Sequence, residues 1–272
     1  MSHSVVKQMN FKSFDQLSLY YETHGDPTAP PIMLIHGIGA DHAMWKPQIV
    51  SLPAAGYFVI VPDLRGHGLS DIPATFRIAD CARDLGDLLT TLQLPQVQLI
   101  GVSMGGMVAQ QFVMQYPGRA TAQILVDTLS GITRPLERFN AWLAAVLLQF
   151  LPPKLQARMI RNAYRKLGHD AVGQYFEERL LHMSPRWLLA ARREVNRFSV
   201  IGELSQMNLP TLVLVGDAFG KMAIDMARTT ADGIPGAQLQ ILAGGGDPSN
   251  LLVPAAFDQA VLAFLAMLAP GR

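Results

Sequence analysis

The sequence predicts a single α/β domain built on a mostly parallel sheet. Its 272 residues, half of them hydrophobic, are enough for one large domain with a sizeable core. Short apolar runs that end in Gly, Asp or Pro are typical of parallel strands covered on both faces. These runs span residues 31–35, 57–61, 97–100, 123–126 and 211–215. Helix-like stretches at 78–92 and 105–116 alternate with them, as in a doubly wound sheet.

Composition excludes several classes of protein. Charged residues make up 16% of the chain and the net charge is +1, without the basic excess of a nucleic-acid binder. The longest apolar stretch, residues 141–148, is too short to span a membrane and indicates a buried or partner-facing helix. Cys81 is the single cysteine, and the N-terminus has no apolar leader, so we expect a cytoplasmic protein.

Residues 131–206 interrupt the strand–helix alternation and read as several helices. They contain 12 Arg and Lys against 6 Asp and Glu, a net +6, whereas the rest of the chain carries 10 against 15, a net −5. We predict a core domain at 1–130 and 207–272, with 131–206 inserted as a helical cap, or lid, over the site. Its basic residues are explained either by a solvated helix face or by attraction of an anionic ligand.

Residues 101–105, Gly-Val-Ser-Met-Gly, match the nucleophile-elbow pattern G-x-S-x-G. The motif stands directly between a predicted strand and a predicted helix, which is the context that the chemistry requires. The tight turn holds Ser103 in a strained conformation and presents its hydroxyl at a helix N-terminus. A glycine turn that merely contains a serine is the structural alternative.

Two backbone N–H groups are candidates for an oxyanion hole. The loop 36–39, His-Gly-Ile-Gly, follows an earlier strand, and the residue after the nucleophile is Met104. We assign the hole to the N–H groups of Ile38 and Met104. His36 precedes the hole and is predicted to be structural.

Together with residues 63–70, Asp-Leu-Arg-Gly-His-Gly-Leu-Ser, these motifs resemble the α/β-hydrolase superfamily. Within it, the chain is most similar to small capped esterases, enol-lactonases and C–C bond hydrolases. The resemblance extends from about residue 20 to 268 and is weakest in residues 131–206. It implies an eight-stranded, mostly parallel sheet with a helical cap, and a triad in the chain order serine, acid, histidine.

Both remaining triad positions depart from that pattern. The family's acid position falls on Phe219, and its histidine position, in a segment like G-x-G-H-x-S-N, falls on Asp247. Asp127, at the end of the strand after the elbow, is an alternative acid, although a strand-end turn former is an equally good interpretation. Asp217 lies two residues from the acid position and is expected to point elsewhere. The acid of a triad orients and stabilises the imidazole. A site without the histidine therefore has no use for the acid, so the two replacements are consistent with each other.

No histidine lies within five residues of Asp247. His67 belongs to the 63–70 loop and is expected to be structural, whereas His169 and His182, in the insertion, could swing in as bases. Lys221 lies just past the acid position, where a surface lysine is the simpler interpretation.

Three functions remain open. The first is an enzyme acting on a small, largely apolar carbonyl compound (an ester, a lactone or a C–C substrate) through Ser103, with Asp247 or an insertion histidine as base. The second is a lyase, isomerase or cyclase that uses Asp247 as acid or base, and the third is a non-catalytic binder that retains the pocket. We expect a small-molecule substrate, anionic if the basic insertion contacts it. No cofactor, metal, nucleic acid or membrane is expected, and a homodimer is an open alternative to a monomer.

Overall fold

A computed structural model describes residues 7–132, 134–148 and 150–268. Its described part contains an eight-stranded sheet in the order β1-β2-β4-β3-β5-β6-β7-β8. The strands are β1 (Lys7–Lys12), β2 (Ser18–His24), β3 (Pro31–Ile35), β4 (Phe58–Pro62), β5 (Val97–Val102), β6 (Ala120–Val126), β7 (Thr211–Gly216) and β8 (Gln238–Leu242). The pairs β1–β2 and β2–β4 are antiparallel, and every other pair is parallel. The predicted fold class and sheet are therefore confirmed.

The helices are α1 (Gln48–Ala54), α2 (Ile78–Thr91), α3 (Met104–Gln115), α4 (Pro135–Leu148), α5 (Pro153–Lys166), α6 (Asp170–His182), α7 (Pro185–Arg197), α8 (Lys221–Gly233), α9 (Ser249–Leu252) and α10 (Pro254–Leu268). The group α4–α7 lies between β6 and β7 and is named the helical insertion below. The five strands and two helices predicted from the sequence are all present. The strands β1, β2 and β8 were not predicted from it, and β1 and β8 expose most of their residues because they form the two edges of the sheet.

Two apolar layers cover the central strands. Successive residues of a strand point to opposite faces, so Met33 and Ile35 pack with α2, α3 and α8, whereas Ile32 and Leu34 pack with α1 and α10. All four side chains are fully buried. This double coverage explains why the strands read as continuous apolar runs, and it leaves the carboxyl ends of the strands as the place for a site.

The apolar stretch 141–148 forms the second half of α4. Of its described side chains, Leu143 is 36% exposed and Leu147 is 58% exposed, so the buried interpretation is wrong for these two. The side chains of most of the other residues in the stretch lie outside the described set. Within the described residues, no helix is both long and apolar enough to cross a membrane.

The loop after β4 is held by an ion pair between Arg65 and Asp84 of α2. The guanidinium donates to both carboxylate oxygens of Asp84, at 2.7 and 2.6 Å, and to Asp15 at 3.1 Å. Arg65 and Asp84 are 1% and 2% exposed. Burial raises the pKa of Asp84 to about 6, against the opposing effect of Arg65. The arginine of the 63–70 motif is thus a structural element that anchors the loop.

We expect Arg65→Met to lower the free energy of unfolding by about 3–5 kcal/mol at pH 8, because it leaves a buried carboxylate without its partner. Urea unfolding followed by tryptophan fluorescence measures the loss. Arg161→Met is the matched control, since Arg161 pairs with Asp170 and Glu177 in a partly exposed setting and its loss should cost much less than that of Arg65. Equal losses in the two variants would contradict a special role for the buried pair.

Candidate active site at the carboxyl ends of the strands

Ser103 occupies the turn between β5 and α3 with φ 54° and ψ −120°. This left-handed conformation is unfavourable for a residue with a Cβ, and here the surrounding turn imposes it. Gly105 permits the turn, because a Cβ at this position would lie 2.1 Å from the backbone oxygen of Ile35. The strained elbow predicted from the motif is present.

Ser103 faces a cavity of about 280 Å³ between the sheet and the helical insertion. The residues that line it are Gly37, Ile38, Ala40, Met44, Val102, Ser103, Ile160, Ala163, Tyr164, Phe176, Leu180, Leu188, Arg192, Asp247 and Pro248. The structure therefore brings together three of the predicted site residues: Ile38, Ser103 and Asp247. Most of the remaining lining is apolar, which suits a small, largely apolar ligand.

Asp247 lies in the loop between β8 and α9, beside the elbow. Gly216 at the end of β7 allows this loop to approach, since a Cβ there would lie 1.9 Å from the backbone carbon of Gly245. Burial, followed by the charge of Asp127, raises the pKa of Asp247 to about 7, while the nearby Ser103 side chain opposes the rise. The Asp247 carboxyl thus changes its protonation state near neutral pH, directly beside the elbow serine.

Met104 is the first residue of α3, and Ile38 lies on the cavity wall. Across the described part of the chain, neither backbone N–H donates a hydrogen bond to another residue. The first N–H groups of a helix have no partner within it, so the Met104 N–H is available to an oxygen bound at the elbow. The assignment of these two donors to an oxyanion hole stays a prediction.

Asp127 directly follows β6 with φ 46° and does not line the cavity. Its carboxylate accepts hydrogen bonds from the Gly216 N–H at 2.9 Å, the Ser249 N–H at 2.7 Å and the Ser249 hydroxyl at 3.1 Å. Burial raises its pKa to about 6 against these bonds. Its contacts join β6, β7 and the start of α9, so they favour the turn-forming interpretation over that of a replacement acid.

Phe219 and Asp217 follow β7 in one turn of 3₁₀ helix, and neither lines the cavity. Phe219 is 45% exposed, and the Asp217 carboxylate accepts a hydrogen bond from the Gly244 N–H at 2.8 Å. Asp217 therefore holds the neighbouring loop and does not face the cavity at Ser103. Lys221 forms a surface ion pair with Asp225, which agrees with the simpler interpretation of that lysine.

No histidine is among the described residues that line the cavity. His36 is buried; one ring nitrogen contacts the Gly37 carbonyl and the other accepts the Leu64 N–H, so it supports the loop. His67 is also buried, against the Arg65 carbonyl. His169 precedes α6, and His182 is exposed at the end of that helix, so neither reaches Ser103 in this conformation.

Sequence reasoning missed the residues that the helical insertion contributes. The Tyr164 hydroxyl donates to the backbone oxygen of Asp247 at 2.6 Å, and Arg192 of α7 reaches the same cavity. Both residues lie on helices with one apolar and one charged face, so the sequence does indicate the two helices through their hydrophobic periodicity. Which polar residues of those helices turn toward Ser103 depends on how the insertion packs on the core, and the sequence carries no signal for that.

The sheet, the elbow and the adjoining loop define an α/β hydrolase. The family described as alpha/beta hydrolase fold matches residues 30–252, and the chain belongs to this family. It is 30% identical to the protein named "Putative carbamate hydrolase RutD" of Variovorax paradoxus, over 94% of this chain and 99% of that one. It is 29% identical to 3-oxoadipate enol-lactonase 2 of Acinetobacter baylyi, over 92% of this chain and 93% of that one. A solved thermophilic esterase from Thermogutta terrifontis is 27% identical, with a TM-score of 0.84, over 97% of this chain and 100% of the other.

The pKa of Asp247 predicts a specific pH dependence of stability. A carboxyl whose pKa is higher in the folded protein stabilises the fold fully below its unfolded pKa of about 4, and this contribution is lost as the pH rises to about 7. Asp247→Asn removes the titration. The free energy of unfolding of the wild type, relative to this variant, should therefore fall by roughly 2–4 kcal/mol between pH 4.5 and pH 8.

Urea unfolding at the two pH values measures this difference. Asp84 is present in both proteins and is not among the groups that shift Asp247, so its titration cancels in the comparison, whereas the coupling of Asp127 to Asp247 is part of the measured difference. A difference between wild type and variant that does not change with pH would show that Asp247 titrates normally.

Proposed function

We propose that this protein hydrolyses small esters or lactones with Ser103 as nucleophile and Asp247 as the base that takes its proton. The observation that carries the proposal is the Asp247 carboxyl beside Ser103, with a pKa of about 7. A carboxylate with an ordinary pKa near 4 is a weak base toward a serine hydroxyl. A pKa near neutral leaves Asp247 about half ionised at pH 7 and makes it a much better proton acceptor.

The chemistry requires two proton transfers in each half-reaction. The Ser103 oxygen attacks the carbonyl carbon while its proton moves to Asp247, and the tetrahedral intermediate places its negative oxygen at the N–H groups of Ile38 and Met104. Asp247 then protonates the leaving alkoxide, and the acyl-enzyme forms. Water attacks the acyl carbon while Asp247 takes its proton, and Asp247 then gives this proton to the Ser103 oxygen as the bond to the acyl carbon breaks, which releases the acid and restores the Ser103 hydroxyl.

The substrate class rests on the lining of the cavity and on the relatives. A cavity of about 280 Å³ with mostly apolar walls fits a compact carbonyl compound. The similar proteins include one named as an enol-lactonase and one as an esterase, both of which cleave acyl–oxygen bonds. In this proposal the helical insertion is the cap that closes the cavity. The oligomeric state and the cellular location stay predictions, and light scattering in solution tests the first.

A second function is compatible with the same observation. A carboxyl with a pKa near 7 is also able to exchange a proton with the substrate itself, as a lyase or isomerase requires, and Ser103 would then only orient the substrate. Retention of activity in Ser103→Ala, with loss in Asp247→Asn, would favour this alternative. A non-catalytic binder would turn over nothing and would still bind ligands in the cavity.

The hydrolase proposal predicts the pH profile. With short-chain p-nitrophenyl esters, kcat/KM should rise with pH through an apparent pKa near 7, since the ionised form of Asp247 is the base. Ser103→Ala and Asp247→Asn should each lower kcat by about 10²–10⁴-fold. A fluorophosphonate should label Ser103 in the wild type. Absence of both turnover and labelling would reject Ser103 as a nucleophile.

Restoring the family's triad is the complementary experiment. Asp247→His together with Phe219→Asp should raise esterase kcat/KM by at least about tenfold, because an oriented imidazole is a more effective base at pH 8. Phe219→Asp alone is the control and should leave the rate near that of the wild type. A wild type already as active as the double variant would show that Asp247 fully replaces the histidine.

A further inference from the structure

The helical insertion borders two adjoining cavities. The cavity at Ser103 adjoins an outer chamber of about 860 Å³ within the insertion. The residues common to both are Ile160, Ala163, Leu180, Leu188 and Arg192. Apart from Arg192, this shared wall is apolar. A ligand bound at Ser103 that extends toward the outer chamber therefore passes the guanidinium of one arginine.

Arg192 differs from two other arginines of the insertion, which form ion pairs. Arg161 pairs with Asp170 and Glu177, and Arg179 pairs with Asp41. Arg192 is partly buried on α7, and within the described ranges it forms no ion pair or hydrogen bond. Burial lowers its pKa, and no carboxylate among the described side chains offsets the cost of removing the charge from water.

The environment of Arg192 indicates which chemical group of a ligand would pair with it. A guanidinium offers a planar set of donors that matches the two oxygens of a carboxylate. Arg192 is not among the groups that shift the pKa of Asp247, so its charge is not used to ionise that base. The outer chamber is lined mainly by apolar side chains, among them Leu151, Met159, Met183 and Leu189. A ligand that satisfies both features has a carboxylate next to a hydrocarbon part.

We propose that Arg192 is a substrate-binding residue and that the natural substrate is a carbonyl compound with a free carboxylate. The carboxylate binds Arg192 at the junction of the two cavities, the reacting carbonyl lies at Ser103, and hydrocarbon parts of the ligand occupy the outer chamber. The substrate class rests on the proposed hydrolase function, whereas the carboxylate site itself does not depend on turnover.

Binding of octanoate and of octanamide tests the site without any reaction. The two probes share shape and chain length and differ in charge, so calorimetry at pH 7.5 isolates the contribution of the carboxylate. We expect wild-type protein to bind octanoate about tenfold or more tightly than octanamide, as a charged hydrogen-bonded pair requires. Arg192→Gln should abolish the preference, and Arg192→Lys should restore part of it.

Arg193→Gln is the matched control for these measurements. Arg193 lies on the same helix, is exposed and lines neither cavity. This variant should keep the wild-type preference for octanoate. Equal affinity of wild-type protein for the two probes overturns the proposal, even if Arg192→Gln fails to fold. Equal loss of the preference in Arg193→Gln also overturns it, because general surface charge would then explain the binding.

A matched pair of esters extends the test to catalysis. Mono-p-nitrophenyl adipate carries a free carboxylate, and its methyl ester is the neutral counterpart. Arg192→Gln should raise KM for the acid by about tenfold or more, with kcat and the apparent pKa of the pH profile unchanged, and should leave the methyl ester unaffected. If neither ester is hydrolysed but octanoate selectivity is present, the hydrolase proposal fails while the carboxylate site stands. If both esters are hydrolysed and Arg192→Gln changes neither KM, the carboxylate site fails while the hydrolase proposal stands.

Discussion

The hydrogen bonds of Asp127 connect the parts of the protein on which the site depends. One buried carboxylate accepts the N–H of Gly216 at the end of β7 and both the N–H and the hydroxyl of Ser249 at the start of α9. These contacts bring the loop that carries Asp247 against the end of the sheet. They also place a second negative charge near Asp247, which contributes to the raised pKa of that residue. Asp127 thus contributes both to the position of Asp247 and to its raised pKa.

The chemical consequence is a site in which a carboxyl stands where the family pattern has an imidazole. An imidazole reaches a pKa near neutral without help, whereas a carboxyl needs burial and a neighbouring negative charge to do so. The protein provides both conditions, through the depth of the site and through Asp127. A residue that orients an imidazole has no function in such a site, which agrees with a half-exposed Phe219 at the position of the family's acid.

The helical insertion supplies the polar groups that the core lacks. Tyr164 holds the backbone of Asp247 from above, and the Tyr175 hydroxyl and Arg179 both contact Asp41 in the loop after β3. These contacts fasten α5 and α6 over the cavity, and α7 adds the unpaired guanidinium of Arg192. Among these arginines, Arg179 attaches the insertion to the core, Arg161 pairs with acidic residues within the insertion, and Arg192 lines the cavity at Ser103.

The sequence by itself determined the five central strands, β3 to β7, and the elbow. Continuous apolar runs specify strands buried on both faces, and Ser103 between two glycines specifies the tight turn, because only small neighbours fit there. The sequence also located the substitutions at Phe219 and Asp247. It did not determine the edge strands, whose exposed residues lack the apolar signal, nor the meaning of Asp127, whose role depends on bonds to residues 89 and 122 positions away in the chain. The pKa of Asp247 and the position of Arg192 arise from burial and from the packing of separate segments, so only the tertiary structure decided them.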